Sequence, residues 1–375
     1  MKKVSLELQP CLGERSGVGT YAYELAKRLK NTNQIQFQGN IFNFCNRHDN
    51  SLLTAEYPFS FKENHLLPYK FFRASQYLIP VPYKNLFGNA DLNLFFNYII
   101  PRGVAGKAVT TVYDMTYMRF PETMMRRNFL RLKTGMEQAV KRADHIITIS
   151  EFSKNEICNL LDVIPERIDV IYCSAPEKGE SAEFVDVSEK YSIHNQFILF
   201  VGSIEPRKNL VRLIQAFDKL KSKYQIPHQL VLAGGKGWQN EAIFEAASSS
   251  AYSSDIIFTG FVSSREKSTL YENASLFVFP SVYEGFGIPP LEAMQWGCPV
   301  VCSNAASLPE AVGDAAEFVD PESVDSIANG IWRVLSEKAY ANILIERGYK
   351  QIEKFSWNTS ATKLMELCKK VLCEE

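Results

Sequence analysis

The sequence predicts two successive α/β domains, each built on its own doubly wound parallel sheet. Three observations carry that prediction. Short apolar runs hand over to amphipathic helices in both halves of the chain. At 375 residues the chain is too long for one average domain. Between the halves, residues about 174 to 190 are acidic, contain Pro176 and Gly179 and show no periodicity, as a linker would. With 46% hydrophobic and 22% charged residues, the composition is that of an ordinary globular protein.

In the first half, Val4 to Leu8 alternates apolar and polar residues, Ser16 to Thr20 reads as a tight glycine turn, and Tyr21 to Leu29 as a helix. Ala108 to Tyr113 is a strand that ends at Asp114, the segment from about Asn128 to Arg142 a helix, and His145 to Ile149 a strand. Ser150 and Glu151 then stand where they can cap a helix running to Leu161.

The second half repeats the pattern. Phe197 to Val201 is a continuous apolar run, hence a strand buried on both faces. A helix follows over about 208 to 223, with Leu210, Leu213, Ile214 and Phe217 on one side. Next come a strand from Gln229 to Ala233, a glycine-rich turn at 234–237, a helix over about 240 to 249, and a strand from Ile256 to Thr259 leading into Gly260-Phe261-Val262. Val278-Phe279 closes a buried strand, Pro299 to Cys302 is another short one, and helices fill about 323 to 354.

The chemistry concentrates in two places. In Glu284-Gly285-Phe286-Gly287-Ile288-Pro289-Pro290-Leu291-Glu292, two glutamates bracket a glycine turn and a double proline that opens a helix near Leu291. That order puts Glu284 after a strand and Glu292 about one turn into the next helix, at the end of the sheet where open α/β proteins bind ligands. Carboxylates there can accept hydrogen bonds from sugar hydroxyls. Alone, such a pair means little and reads first as solvated helix charges. In Gly202-Ser203-Ile204-Glu205-Pro206-Arg207-Lys208-Asn209, two cations stand at the start of a helix, where the macrodipole disfavours them unless an anion is bound. The competing reading is a solvated pair reaching a nearby carboxylate.

Gly17 and Gly19 lie between the first strand and first helix, where free N–H groups can meet a phosphate or hydroxyl, although a lone Gly-x-Gly also occurs as a bare turn. Asp114 sits after a strand and either positions a ligand or caps the next turn. Eight cysteines form no Cys-x-x-Cys and have no histidine at zinc spacing, so they read as reduced thiols, and the five histidines are scattered. No apolar run approaches the ~20 residues of a membrane span, and Glu7 stands where a signal peptide would be apolar, so a cytoplasmic protein is expected.

The segment around Glu284 and Glu292, with Gly297-Cys298-Pro299-Val300-Val301 and Ser307-Leu308-Pro309-Glu310 behind it, resembles the Glu-x7-Glu signature of retaining glycosyltransferases of family 4, in particular bacterial mannosyl- and rhamnosyltransferases. The resemblance extends over nearly the whole chain and is least familiar at about 40 to 100. It implies the GT-B fold, two Rossmann-like domains facing a cleft. The N-terminal acceptor-binding domain would be 1–175, joined by a helix at about 356–375 that crosses back, and the donor-binding domain 176–355.

By resemblance, Glu284 contacts the transferred sugar and Glu292 holds the ribose. Arg207 and Lys208 neutralise the leaving nucleoside diphosphate, with donor contacts near Gly17, Gly19, Gly202, Gly235, Gly260, Phe261, Val262, Gly285, Phe286, Gly287 and Ile288. Asp114 matches the aspartate of a strand-end His-Asp pair, but Tyr113 replaces the histidine. No Asp-x-Asp occurs, so fixed cations are expected to replace a metal, and no cofactor is expected. GDP-mannose is the first donor candidate, ahead of UDP-glucose, UDP-N-acetylglucosamine and dTDP-rhamnose, and the acceptor would be a glycan or lipid-linked glycan. The alternative is an inactive nucleotide-sugar-binding regulatory or scaffold subunit.

Charge is uneven. Residues 1–175 carry 22 basic against 16 acidic side chains, whereas 176–375 carry 19 against 26. Aromatics and cations interleave from Tyr69 through Tyr77 to Phe87, and Arg126 to Lys133 reads as a basic amphipathic helix. A modest basic excess reads first as a solvated surface; the alternative these segments raise is a face that can rest on anionic lipid, in peripheral contact with the inner membrane face. No nucleic-acid motif accompanies them.

Overall fold

The computed structural model describes residues 1–13, 16–46, 54–76, 79–177 and 186–374, apart from the side chain of Arg127. Tyr77 and positions 178–185 of the expected linker lie outside the described residues. The chain divides into two compact units. The first comprises Met1–Met115, Arg127–Cys173 and Trp357–Glu375, the second Thr116–Arg126 and Ser174–Ser356.

The first unit is built on seven parallel strands: β1 (Lys2–Glu7), β2 (Ile35–Phe42), β3 (Ser60–Asn64), β4 (Leu92–Phe95), β5 (Lys107–Thr111), β6 (His145–Thr148) and β7 (Ile168–Val170). They are ordered β3-β2-β1-β4-β5-β6-β7. Central β1 aligns Val4 with Phe37 on one side and Leu92 on the other, and Val4 to Glu7, which alternate between the two faces of the sheet, are all buried. The order reverses direction beside β1, and the carboxyl ends of β1 and β4 flank that switch point.

Several expected boundaries shift. The first helix is Gly17–Ala26, so Gly17 and Gly19 lie inside its first turn rather than in a preceding loop. Ser16 caps it, accepting the Gly19 N–H, and the glycines adopt helical backbone that needs no positive φ. Ser150 likewise caps Glu151–Leu161 by accepting the Ser153 N–H. The helix Trp357–Cys373 packs in this unit, with Trp357 edge-on to Tyr21 and Ser360 Oγ donating to the Tyr172 carbonyl.

The aromatic stretch near Tyr69 to Phe87 is only partly a surface. Phe72, Tyr83 and Phe87 are buried around Phe42, with ring centroids 4.7 to 5.0 Å apart along the chain of contacts, because they cover the carboxyl edge of β2. Phe71 and neighbouring Leu66 and Ile79 are exposed.

The second unit has six parallel strands: β8 (Phe197–Val201), β9 (Gln229–Ala233), β10 (Ile256–Gly260), β11 (Leu276–Phe279), β12 (Val300–Ser303) and β13 (Ala316–Val319), ordered β10-β9-β8-β11-β12-β13. Every residue of β8, β9, β11 and β12 is buried, as their continuous apolar runs require. The helices of 323–354 are two, Val324–Ser336 and Lys338–Ile352.

Candidate active site

In the second unit the carboxyl ends of β8, β9, β10 and β11 bring the expected donor residues to one edge of the sheet. Gly202 follows β8, Gly234 and Gly235 follow β9, and Gly260 ends β10. The loops are stitched together: the Gly202 N–H donates to Ala233, Gly234 to Gly260, and Ile204 to Gly235. A Cβ on Gly234 would stand 1.9 Å from the Gly202 carbonyl, so only glycine permits the two turns to touch. Past β10, Phe261 is exposed while Val262 is buried.

Arg207 and Lys208 do not open a helix, contrary to expectation. They occupy a short 3-10 turn, Pro206–Lys208, and the helix Leu210–Tyr224 begins only after Asn209, whose left-handed backbone (φ 61°) redirects the chain. The Asn209 amide fixes that kink by donating to the carbonyls of Pro280 and Pro321. The macrodipole conflict is thereby relieved, and the countercharge comes from the protein itself. Lys208 Nζ lies 2.5 Å from Glu284 Oε1, Arg207 Nη1 2.7 Å from Glu284 Oε2, and Arg207 Nη2 2.7 Å from Glu205 Oε1. Arg207 also donates to the Tyr283 carbonyl. Of the two readings open from sequence, the carboxylate partner is present, but the group is enclosed rather than solvated.

This four-group cluster is formally neutral, as buried charges must nearly be. Burial on its own would raise the Glu284 carboxyl, yet Arg207 and Lys208 together outweigh it and hold that carboxyl down at about 2. Burial and then the neighbouring Arg207 push the Lys208 ammonium below its ordinary value, with Glu284 pulling back. One oxygen, Glu205 Oε2, is buried with no hydrogen-bond partner.

The loop holding Glu284 is anchored from behind. Ser307 Oγ lies 2.8 Å from the Glu284 carbonyl and 3.0 Å from that of Phe286. Gly287, at φ 125°, precedes the helix Ile288–Gln295, which starts earlier than Leu291 because Pro289 and Pro290 fit its first turn. Glu292 therefore lies just past that turn, buried, with Oε1 2.5 Å from Lys267 Nζ and Oε2 3.0 Å from Tyr271 Oη. Phe120, from the short Thr116–Arg126 segment, packs on the Tyr283 ring.

The structure thus brings Arg207, Lys208, Glu284 and the glycine turns of 202, 235, 285 and 287 to one end of one sheet. It adds three residues not singled out from sequence. Glu205 was legible as the neighbour of Arg207 but carried no motif. Lys267 and Tyr271, four apart on the helix Ser264–Asn273, meet Glu292 only through the fold.

In the first unit, Asp114 follows β5 and is half-buried. Tyr113, in the position where histidine was expected, donates its hydroxyl to the Phe96 carbonyl and sets its ring edge-on to Tyr21. Burial pushes its phenol up, so it stays protonated. Gly17 is exposed, whereas Gly19 is buried and its N–H is taken by Ser16. Among the described residues no group of three or more histidine, cysteine or carboxylate side chains could hold a metal ion.

The family description Glycosyltransferase Family 4 matches residues 15–176, and Glycosyl transferases group 1 matches 187–351. O-antigen chain mannosyltransferase B of Escherichia coli is 31% identical over 374 residues, covering 96% of this chain and 98% of that one. Serotype-specific mannosyltransferase WbdA of Escherichia coli is 36% identical over 241 residues, 62% of this chain but 30% of its own length. The crystal structure of Anabaena HepE in complex with UDP and glucose aligns with a TM-score of 0.72 at 16% identity, over 98% of this chain and 100% of that one. The chain therefore belongs to the glycosyltransferases, with the GT-B fold and the group 1 and family 4 domains.

Proposed function

We propose that the protein is a retaining mannosyltransferase that moves mannose from GDP-mannose to a hydroxyl of a growing surface polysaccharide, glycan or lipid-linked. The observation that carries this reading is the near full-length similarity to an O-antigen chain mannosyltransferase. The buried cluster around Glu284 supports it chemically. Two fixed cations beside each other are suited to a diphosphate leaving group, whose developing charge they would stabilise without a divalent metal.

In this reading Glu284 has two tasks. It holds Arg207 and Lys208 in register, and it contacts the transferred sugar. Glu292, already held by Lys267 and Tyr271, accepts the ribose hydroxyls. Asp114 positions the acceptor. Retention follows a front-face route: the glycosidic C–O bond to the leaving phosphate breaks as the acceptor oxygen bonds to the same face of the anomeric carbon. The departing phosphate oxygen takes the acceptor proton. Such a route needs positioning and charge stabilisation rather than a protein nucleophile.

The test is release of nucleoside diphosphate from GDP-mannose, UDP-glucose, UDP-N-acetylglucosamine and dTDP-rhamnose, with and without a mannan oligosaccharide acceptor. The anomeric configuration of the product is read by NMR. Turnover confined to a donor other than GDP-mannose overturns the mannose assignment. A β-linked product from α-configured GDP-mannose overturns retention, and donor binding without turnover on any acceptor would favour the regulatory-subunit alternative.

A further inference from the structure

Glu205 is the most deeply buried member of the charged cluster, 2% exposed against 9% for Glu284. Its backbone is fixed from two sides. The Lys208 N–H donates to the Glu205 carbonyl at 3.1 Å, and the glycine turn after β9 closes over the residue. There the Gly237 N–H donates to the Ile204 carbonyl at 3.0 Å. A Cβ on Gly237 would stand 2.8 Å from that carbonyl and 3.1 Å from Glu205 Cβ. The backbone of Arg207 is tied separately, its carbonyl accepting from the Val282 N–H at 3.0 Å. Carboxylate and guanidinium therefore meet with both main chains held.

The two carboxylates hold Arg207 at different ends. Glu284 and the Tyr283 carbonyl take Nη1, whereas Glu205 Oε1 takes Nη2. A diphosphate drawn to Arg207 and Lys208 competes with Glu284, which both cations contact, while Glu205 keeps its hold on Arg207 from the interior. Glu205 also opposes the incoming anion, because a fixed negative charge beside the pair offsets one of its two positive charges. That charge reaches Lys208 too: burial and Arg207 push its ammonium below the ordinary value, and Glu284 and Glu205 draw it back. Glu205 Oε2 is buried with no hydrogen-bond partner, an unfavourable arrangement, so stability alone does not account for a carboxylate at this position.

We propose that Glu205 is a positioning residue for the leaving group: it aims the Arg207 guanidinium from its buried side and limits the positive charge of the pair, so that the nucleoside diphosphate is first stabilised and then released. The proposal rests on the reading of Arg207 and Lys208 as the diphosphate site and adds to it a control on product release. Anchor and charge are separable. Glu205→Gln keeps the volume and an oxygen that can accept from Arg207, and removes the charge. Glu205→Ala removes both.

The experiment uses the full chain, with calorimetric titration and stopped-flow dissociation of GDP, or of UDP or dTDP where GDP does not bind. Single-turnover cleavage of the matching sugar nucleotide is followed with a mannan oligosaccharide, or with water where no transfer occurs. Both variants should unfold at lower temperature, since each loses a buried countercharge. Glu205→Gln should nevertheless bind the nucleoside diphosphate about tenfold more tightly and release it about tenfold more slowly, within the Coulomb energy of one nearby charge. Its single-turnover rate should stay near that of the natural sequence. Glu205→Ala, with Arg207 no longer aimed, should lose about tenfold in that rate. A merely structural role would lower thermal stability and weaken binding together. Affinity unchanged or weakened in Glu205→Gln therefore overturns the proposal, and so does a full single-turnover rate in Glu205→Ala. If the natural sequence binds none of the three nucleoside diphosphates, it is the donor reading beneath the proposal that fails.

Discussion

Lys208 Nζ sits 2.5 Å from Glu284 Oε1, although the two residues are 76 positions apart in the chain. Their loops follow β8 and β11, which are neighbours in the sheet, so the contact is a product of strand order. Two adjacent buried cations are tolerable only with carboxylates at contact distance. Glu284 is therefore structural as well as functional, and its variants must be read on both axes.

Glu284→Ala leaves Arg207 and Lys208 short of a countercharge, which should destabilise the fold by about 3–5 kcal/mol. Glu284→Gln keeps the volume and one acceptor and should lose less. In both, turnover should fall further than affinity for the nucleoside diphosphate. Thermal unfolding, titration calorimetry and steady-state kinetics on the two variants check this. Equal loss of binding and turnover would contradict a sugar-contacting role.

Glu292→Ala removes the acceptor proposed for the ribose and should weaken nucleotide binding by about 1.5–3 kcal/mol. Tyr271→Phe keeps the carboxylate and deletes only the hydroxyl donating to it, so a loss of about 0.5–1.5 kcal/mol is expected. If Tyr271→Phe costs as much as Glu292→Ala, the effect lies in the packing of the helix pair and not in a ribose contact.

Arg207→Ala and Lys208→Ala should each slow transfer about 10²-fold, the scale lost with one preorganised charge-stabilising group. Activity should persist in excess chelator. Abolished turnover after chelation, restored by a divalent ion, would replace the fixed-cation mechanism with a metal-assisted one.

How far the sequence could be read varies along the chain for physical reasons. β8, β9 and β11 were plain because strands buried on both faces are continuous apolar runs. β2 and β3 were not, since IQFQGNIF is interrupted by glycine and asparagine and SFKEN is an edge strand with little apolar signal. Asn40, buried in β2, bonds Ser5 and Tyr83, a partnership no local pattern announces. At the site, Arg207, Lys208, Glu284 and Glu292 stood out through their flanking prolines and glycines. Their partners Glu205, Lys267 and Tyr271 did not, because pairing across elements depends on tertiary placement.

Two buried glutamates should give opposite dependences of stability on pH. Glu284 is held at about 2 in the folded state, against an ordinary 4.5. Its contribution is complete above that ordinary value and disappears as pH falls toward 2, on the order of 3 kcal/mol in all. Glu7 is raised to about 8, so the folded protein keeps a proton that the unfolded chain has released. Stability should therefore fall as pH rises from about 4.5 to 8. Denaturant midpoints between pH 5 and 9 should show that decline in the natural sequence and a flatter profile in Glu7→Gln. An identical slope in the variant would show that Glu7 titrates normally.

Any contact of the first unit with lipid should run through its exposed apolar and basic side chains. Tyr83 and Phe87 are buried and cannot touch a membrane, and Arg131 is half-buried with Nη2 3.3 Å from Tyr98 Oη. Leu66, Phe71 and Ile79 are exposed, as are Lys70 and Lys133. No helix among the described residues is long and apolar enough to cross a membrane, so any contact through these groups would be peripheral. Each cation near an anionic surface contributes about 1 kcal/mol, screened by salt. Inserting the Phe71 ring adds about 1.5–3 kcal/mol. The natural sequence should sediment with phosphatidylglycerol vesicles at low salt and less at high salt. The combination of Lys70→Glu, Phe71→Ser and Lys133→Glu should abolish sedimentation while leaving GDP binding intact. If the natural sequence stays in the supernatant even at low salt, these side chains are a solvated face, and a membrane-held acceptor must be brought to the enzyme by other means.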